Sequence, residues 1–464
     1  MMRRQFLILT AVLVFVIAVF LVPCYAYEAL RGPTGLLQYD KEKAFDGYTL
    51  VSPMTSKTSY LIDMEGYIVH KWDTQYIPGL YGELLPNGNL LRAGRPTGAP
   101  VAFGGAGGII QEIDWDGNVV WEYKELSPTA VQHHCFYRMP NGNTLVLGWE
   151  YKSYEEAVAK GRDPNTLPKE GYTYDKVVHK GIWPDYVKEV NRDGKVVWEW
   201  HVWDHLGKGP DKLDINFILP NEHAIHYMAN ADWTHFNTVG YIPEKDQVIL
   251  NSRNFGEFYL IDKKTGKIVY RWGNPCAYGA GKCPTFLEDG DQQVFGPHHA
   301  VYISNGNFMV FDNGWYRPER NRSRAIELDP RTGKIIWQWQ ANIANSFYSE
   351  YQGATQRLTN GNTLITSSGQ GHLIEVTGGP KPEVVWEYVV PVVGGEKDGK
   401  PAAKCFIDDK TELRATDTQT LANVIHRAYR YPKDYPALAG KDLTNKRAFK
   451  EDCPAMWKIW QGQK

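Results

Sequence analysis

Large apolar and polar residues alternate at period two in six short segments spread along the chain. The segments span residues 68–72, 119–123, 196–200, 268–272, 335–339 and 384–388. Each segment ends on Trp or Tyr, from Trp72 in the first to Tyr388 in the last. This alternation is typical of a β-strand packed on one or both faces. The pattern therefore predicts one aromatic strand in each of six repeated units.

Two kinds of tight turn punctuate the repeat. Asp or Thr followed by Gly precedes four of the aromatic strands, at Asp116-Gly117, Asp193-Gly194, Thr265-Gly266 and Thr332-Gly333. A second turn recurs between units, at Asn87-Gly88, Asn141-Gly142, Asn305-Gly306 and Asn360-Gly361, with residues 243–246 as a divergent copy. Glycine supplies the positive backbone angle that a tight hairpin needs. Each unit therefore reads as four antiparallel strands.

Units of this size and strand count indicate the blades of an all-β, six-bladed propeller. The first unit begins at residues 48–51 with what looks like a second strand, and its inner strand is supplied by residues 425–431. Pairing of the N- and C-terminal strands closes the ring and removes exposed sheet edges. The predicted blades are 47–72 plus 425–431, 80–123, 133–200, 235–272, 298–339 and 353–388. They lie within a body of residues 27–464 that ends in a C-terminal extension, 432–464.

The N-terminus carries an export signal. Arg3 and Arg4 precede an uncharged, mostly apolar run, 6–22, whose length lies between that of a signal peptide and that of a spanning helix. Residues 1–26 are thus a cleaved signal peptide or a retained membrane anchor. The positive charge ahead of the run places the body outside the cytoplasm, on the periplasmic side of the inner membrane.

Composition and cysteine use agree with an exported globular protein. The 464 residues carry a net charge of -2, which points to no nucleic-acid partner. Cys276 and Cys283 share one loop and could form a disulfide, and Cys405 and Cys453 could form a second. A zinc site is the competing interpretation, but no CxxC pair occurs, and we predict no metal. Cys135 has no predicted partner.

Histidine and arginine recur where the inner strands begin. Each inner strand ends just before the first turn of its blade. The residue five positions before that end is His134, His298 or His426, and in the fourth blade it is Asn237, with His235 two residues earlier. The loops that return to this face carry Arg253, Arg317 and His372. We expect these residues to converge at one end of the central channel.

A lone histidine at a strand start is more often a structural residue, and His133, His299 and His179 are assigned to that role. For Arg253 and Arg317, a role in a salt bridge at the rim of the channel and a role as an anion ligand are equally favoured. No acidic residue falls in the predicted ring, which disfavours glycoside hydrolysis and a calcium site. Imidazole and guanidinium groups together suit an anion such as sulfate or phosphate.

Three motifs resemble those of the bacterial arylsulfate sulfotransferases. His235-Phe236-Asn237 resembles the His-x-Asn motif of that family, and Asn251-Ser252-Arg253 its Ser-Arg turn. Pro297-His298, followed by Phe311-Asp312-Asn313-Gly314 and Arg317, resembles its His and Phe-Asp-Asn-Gly…Arg motif. The repeats cover residues 48–436.

The resemblance implies a periplasmic six-bladed propeller that moves a sulfuryl group from an aryl sulfate to a phenol, without a nucleotide donor and without a cofactor. It also implies a transiently sulfurylated histidine in the last blade, for which His372 is the candidate. His235, His298 and Arg317 would then hold the sulfate oxygens, with Asn237, Arg253, His134 and His426 as further substrate ligands.

Two other functions compete with this one. The chain could be a noncatalytic propeller, tethered to the membrane as a binding subunit of a protein complex, with insertions at 151–183, 276–295 and 392–420 as partner surface. It could also be a quinoprotein-like dehydrogenase, because residues 329–337 resemble the Trp-bearing repeat of that class. Against the dehydrogenase stand the blade count and the lack of vicinal cysteines or an evident calcium carboxylate.

Overall fold

The computed structural model describes residues 34–167, 169–174, 177–218, 231–318, 322–343, 346–397, 400–405 and 423–452. Within these ranges, five four-stranded sheets and one five-stranded sheet, all antiparallel, form six blades, so the predicted all-β, six-bladed propeller is confirmed. The predicted signal peptide or anchor, 1–26, lies outside the described residues. No helix in the described ranges is long and apolar enough to cross a membrane.

The first three blades contain the closing strand and the longest insertion; strands are numbered along the chain. Blade 1 consists, from the channel outward, of β29 (Ile425–Pro432), β2 (Gly47–Pro53), β3 (Thr58–Ile62) and β4 (Ile68–Asp73). Blade 2 consists of β5 (Pro78–Leu84), β6 (Leu90–Gly94), β7 (Ile109–Ile113) and β8 (Val119–Lys124). Blade 3 consists of β9 (Ala130–Arg138), β10 (Thr144–Glu150), β13 (Asp185–Val190) and β14 (Val196–His201).

The last three blades follow the same order from the channel outward. Blade 4 consists of β15 (Phe236–Ile242), β16 (Gln247–Ser252), β17 (Glu257–Asp262) and β18 (Ile268–Trp272). Blade 5 consists of β19 (His298–Tyr302), β20 (Phe308–Asp312), β21 (Arg324–Asp329) and β22 (Lys334–Trp339). Blade 6 consists of β23 (Ala354–Arg357), β24 (Thr363–Ser367), β25 (His372–Val376) and β26 (Val384–Val389).

Several smaller elements were not predicted from the sequence. Strand β1 (Gly35–Tyr39) adds a fifth strand to the outer edge of blade 6 by pairing with β26. The insertions contain two hairpins, β11 (Tyr172–Tyr174) with β12 (Val177–His179) and β27 (Val392–Lys397) with β28 (Lys400–Cys405), and one short helix, α1 (Tyr154–Ala159). A second short helix, α2 (Phe449–Asp452), lies in the C-terminal extension. A Ser153/Glu156 capping box starts α1 and satisfies backbone N–H groups at its first turn.

The recurrent tryptophans connect neighbouring blades. In every blade, an indole N–H on the outermost strand donates to a backbone carbonyl of the next blade. The pairs are Trp72 to Asp114, Trp121 to Arg192, Trp198 to Lys263, Trp272 to Gly333, Trp337 to Gly379 and Trp386 to Met64, at 2.8–3.0 Å. Each such bond stabilises the ring by about 1 kcal/mol. The aromatic repeat is thus a set of connections around the ring as well as core packing.

The ring closes where β29 pairs with β2, with Thr49 opposite Arg430. Arg430 is buried, and its guanidinium forms an ion pair at 3.0 Å with Glu375 of blade 6. The closing strand is therefore fixed to the blades on both sides. The predicted disulfide between Cys276 and Cys283 is confirmed. The second predicted pair includes Cys453, which lies outside the described residues.

Candidate functional site

Four inner-strand histidines meet at one end of the channel. His134 lies on β9, His235 directly precedes β15, His298 begins β19, and His426 lies on β29. The ring centroid of His134 is 4.7 Å from that of His235 and 6.1 Å from that of His426, which is 6.4 Å from His298. We call these four residues the histidine cluster. The structure thus brings together four of the five histidines that the sequence analysis assigned to the channel end.

The ring of His298 is held in one tautomer. Its Nδ1–H donates to the Gly296 carbonyl at 3.0 Å and to Asn313 Oδ1 at 2.8 Å. Both partners are acceptors, so the proton sits on Nδ1 and Nε2 carries a lone pair. That lone pair accepts the Gln352 backbone N–H at a long 3.2 Å.

A buried carboxylate lies behind His235, contrary to the sequence-based expectation that no acidic residue belongs to the ring. Asp232 Oδ2 contacts His235 Nδ1 in a short hydrogen bond. Burial raises the pKa of Asp232 well above its usual value and lowers the pKa of His235 to about 3. The pair therefore shares one proton and carries no net charge, and His235 Nε2 remains directed away from the carboxylate.

The remaining imidazoles are neutral as well. Burial lowers the pKa of His134, His298 and His426 well below the usual histidine value, and the neighbouring cations and imidazoles lower it further. His426 is completely buried, and within the described part of the chain neither ring nitrogen has a hydrogen-bond partner. An unsatisfied buried imidazole is costly, so His426 is poised to bond to a polar ligand.

Arg253 supplies a positive charge at the site. Its guanidinium stacks 3.7 Å from the ring centroid of Trp315 and donates to Asn254 Oδ1 at 2.8 Å. Burial is the largest cause of the lowered pKa of His235, and the charge of Arg253 is the second. The same charge lowers the pKa of His298, so the cation lies beside both imidazoles. Neutral donors around one cation favour a bound anion.

Asn237 has a positioning role in the structure. Its side-chain Nδ2 donates to the Pro297 carbonyl at 2.9 Å, and its Oδ1 accepts from Asn251 at 2.7 Å. Asn237 is completely buried. It therefore ties blade 4 to the residue just before His298 and fixes the spacing between two members of the histidine cluster.

Arg317 pairs with carboxylates, and its expected role as a ligand of the sulfate oxygens stays a prediction. Its guanidinium forms ion pairs with Asp312 at 2.6 Å and with Asp289 at 2.8 Å, and lies over the ring of Phe295. These partners match the salt-bridge interpretation of Arg317. The pairs stabilise the loop between β20 and β21 against the preceding inserted loop.

His372 lies apart from the histidine cluster, which corrects its predicted convergence on the channel end. It begins β25, the third strand of blade 6, and its Nε2 bonds to Glu387 Oε1 on the outermost strand at 2.7 Å. Its ring packs near Phe347 and lines a cleft of about 840 Å³ between blades 5 and 6. Its proposed chemistry remains a prediction that the geometry does not test.

Two groups of buried residues were missed. His133, assigned a structural role from the sequence, lies between His134 and Asp185. Cys135 contacts Arg427 Nη1 at 3.2 Å and the Tyr81 hydroxyl at 3.2 Å. The adjacency of His133 to His134 was the one available signal, because the partners Asp185 and Arg427 are remote in sequence. Among the described residues, no three or more His, Cys, Asp or Glu side chains are arranged so that they could hold a metal ion.

Comparison with known proteins gives the family. The model of the family described as Arylsulfotransferase (ASST) matches residues 59–389. Arylsulfate sulfotransferase AssT of Escherichia coli O6:H1 (strain CFT073) is 24% identical over 315 residues, which cover 57% of this chain and 50% of that protein. The chain thus spans about half the length of this curated relative.

Solved structures with a similar chain path are more distant. A protein of unknown function from Bacteroides caccae is 13% identical with a TM-score of 0.45, over 74% of this chain and 94% of that one. Virginiamycin B lyase from Staphylococcus aureus is 11% identical with a TM-score of 0.39, over 77% of this chain and 85% of that one. The family match covers most of the propeller, from β3 to the end of β26. The chain belongs to the arylsulfotransferase (ASST) family.

Proposed function

We propose that the protein transfers a sulfuryl group from an aryl sulfate to a phenol, without a nucleotide donor, through a covalent sulfohistidine. The observation that carries the proposal is the cluster of four neutral imidazoles beside the guanidinium of Arg253. A sulfate ester is a monoanion that such donors would bind. The E. coli relative bears the name of this activity, which supports the same choice of substrate.

The bonding of His298 favours it as the nucleophile. In the donor half-reaction, its Nε2 lone pair attacks sulfur, an N–S bond forms, and the S–O bond to the aryl group breaks with its electron pair on the phenolate oxygen. The ring becomes positively charged, and its Nδ1–H bonds to Asn313 and Gly296 stabilise that charge. The long contact from Gln352 to Nε2 has to open first.

The acceptor half-reaction restores the enzyme. A phenol gives its proton to a neutral imidazole of the histidine cluster and attacks the sulfur of the sulfohistidine, the N–S bond breaks, and its electron pair returns to Nε2. Arg253 and His235 would hold the sulfuryl oxygens during both steps and stabilise the charge that spreads over them. His426, with both ring nitrogens unsatisfied in the described part of the chain, would donate to the same oxygens.

The experiment measures phenol release from an aryl sulfate, with and without a second phenol, in wild type, His298→Gln and His372→Gln. We expect acceptor-dependent release that His298→Gln abolishes and His372→Gln retains. Peptide mapping after donor alone should locate the sulfuryl group on the peptide that contains His298. A sulfurylated His372 peptide would restore that residue as the nucleophile, and no release by wild type from any donor would refute the proposed activity.

The proposal includes export. Arg3 and Arg4 ahead of the apolar run 6–22 favour a periplasmic body, tethered if the run is retained. Cell fractionation with alkaline extraction distinguishes the two forms: a tethered protein stays with the membrane, whereas a processed one is released with the periplasm. Recovery in the cytoplasm would contradict export.

A further inference from the structure

A chain of close polar contacts leads from the histidine cluster into the interior of blade 3, with a hydrogen bond between His133 and His134 and an ion-pair contact between His133 and Asp185. His133 Nδ1 lies 2.8 Å from His134 Nδ1, and His133 Nε2 lies 2.9 Å from Asp185 Oδ1. Asp185 and His133 are completely buried, and His134 is nearly so. We call Asp185, His133 and His134 the relay.

The donors around Asp185 set the direction of every proton in the relay. The Thr234 hydroxyl and the Phe236 backbone N–H both donate to the Asp185 carboxylate, which therefore acts as an acceptor. His133 then carries its proton on Nε2, the atom that faces this carboxylate, and accepts at Nδ1, so His134 must donate from Nδ1. His134 Nε2 is left with a lone pair, on a ring whose centroid lies 4.7 Å from that of His235 and 6.1 Å from that of His426.

The surroundings hold both rings in place. The His133 ring stacks on Trp149 at 3.7 Å between centroids and 11° between planes. His134 adopts a left-handed backbone angle, φ 46°, and its ring fills the space beside Gly105. A Cβ on Gly105 would come within 1.9 Å of His134 Cε1. A strained backbone and a buried polar chain at one place are typical of a functional site.

We infer that the relay is the general acid–base of the transfer reaction, with His134 as the group that meets the phenol and His133 and Asp185 as positioning residues behind it. This inference rests on the proposed function. In the acceptor half-reaction the phenol proton passes to His134 Nε2. The proton on His134 Nδ1 moves to His133 Nδ1, and His133 becomes an imidazolium paired with Asp185.

The donor half-reaction reverses these transfers. The S–O bond breaks, the phenolate takes the proton from His134 Nε2, and His134 recovers its Nδ1 proton from His133. The proton used in the donor half-reaction is the one that the relay takes up from solvent when the donor anion binds. The proton of the acceptor phenol returns to solvent when the new ester leaves, so the protein returns to its starting state. No oxidant, metal or other co-reactant is needed.

Both histidines of the resting relay are neutral. Burial lowers the pKa of both His133 and His134, and Asp185 only partly offsets this for His133. His134 also faces His235, His298 and His426, while Asp232 and His235 act on His133. Arg253 adds positive charge beside His235. A sulfate monoanion bound among these groups would offset that positive charge, so the donor itself promotes uptake of the proton.

Replacement of the carboxylate tests the direction of the relay. In Asp185→Asn the amide can donate to His133 Nε2, which reverses both tautomers and protonates His134 Nε2. Loss of a general base in this way lowers the rate of transfer about 10²- to 10⁴-fold. We expect a loss of that order with weakly acidic phenol acceptors. The loss should shrink as the acceptor phenol becomes more acidic, because an ionised phenol needs no base.

The matched control is His201→Phe. His201 lies in the same blade, and its Nδ1 bonds to Glu150 at 3.0 Å, so the variant removes a histidine–carboxylate pair outside the relay. His133→Phe keeps an aromatic ring over Trp149 and provides a second relay variant if Asp185→Asn does not fold. We expect His133→Phe to show the same dependence on acceptor acidity and His201→Phe to show none.

The outcomes separate this inference from the proposed function. Transfer by wild type with an equal loss for every acceptor in both relay variants would overturn the relay and leave the transferase standing. No transfer by wild type across the donor series would overturn both. Independently of activity, ¹⁵N NMR of the histidine rings should show His134 protonated on Nδ1. A proton on His134 Nε2 in the resting enzyme would overturn the relay.

Discussion

Arg427 and Cys135 are in contact just behind the histidine cluster, with Nη1 3.2 Å from Sγ. Each directly follows a cluster residue on its strand, His426 and His134. The guanidinium of Arg427 is buried, stacks 4.6 Å from the Tyr81 ring centroid, and donates to the Asn237 carbonyl at 2.7 Å. A fixed cation therefore lies beneath the four neutral imidazoles and contributes to the positive potential that an anionic substrate would meet.

Arg427→Met should lower the free energy of unfolding by about 3 kcal/mol, because the Asn237 carbonyl and the Thr238 hydroxyl lose a buried donor. Cys135→Ala, the matched control, should cost about 1 kcal/mol, because it removes one weak contact and leaves a small cavity. Urea unfolding of the two variants measures both values. Equal losses would show that the thiol carries as much of the interaction as the guanidinium.

The neutral histidines make stability depend on pH. The folded-state pKa of His426 is lowered by burial and then by Arg427, so the native protein binds this proton less readily than the unfolded chain. The stability that His426 contributes is therefore present above its unfolded pKa of about 6.5 and is lost as the pH falls below it. His426→Met should flatten the fall in unfolding free energy below this pH by about 1.4 kcal/mol per pH unit.

Urea unfolding at several pH values between neutrality and pH 5 measures that slope. His201→Gln is the control. Burial would lower the pKa of His201, but Glu150 and Glu199 outweigh it and raise the pKa, so this variant should not flatten the acid side. An unchanged slope in His426→Met would contradict a neutral His426 in the folded protein.

The sequence predicted the blades well because their signals are local. A tight turn and an aromatic strand recur in each unit, and the indole of that strand reaches the next blade. The histidine cluster could be predicted for the same reason, because the first turn fixes where each inner strand begins.

Long-range pairing could not be predicted in this way. Asp289, a partner of Arg317, lies in an inserted loop outside the repeated units, so the repeat does not predict its position. His133 and Asp185 are separated by the insertion that carries α1 and β11–β12. His372 follows a 3₁₀ turn, Ser368–Gln370, and becomes the first residue of β25, whose alternation turns its side chain toward the cleft between blades 5 and 6.

Two arginines that look alike in sequence should respond differently to replacement. Arg253→Met should reduce kcat/KM for the aryl sulfate by about 10²- to 10³-fold, because it removes the cation proposed to stabilise the sulfuryl oxygens. Arg317→Met should instead lower the free energy of unfolding by about 3 kcal/mol, because buried Asp312 loses one of its two arginine partners. Steady-state kinetics with urea unfolding separates the two effects. The reverse pattern would return Arg317 to the substrate site.

Gly105 holds the position of His134, and its replacement should reduce activity more than stability. Gly105→Ala places a Cβ 1.9 Å from His134 Cε1, so the imidazole must move, and a shift of about 1 Å can cost about 10²-fold in rate. Gly98→Ala is the matched control, because Gly98 has a similar φ, 91° against 98°, but its added Cβ would meet no atom within 4 Å. Both variants carry the same backbone strain, so the difference between their transfer rates measures the displacement of His134 alone. Equal rates would mean that the His134 ring is not fixed by Gly105.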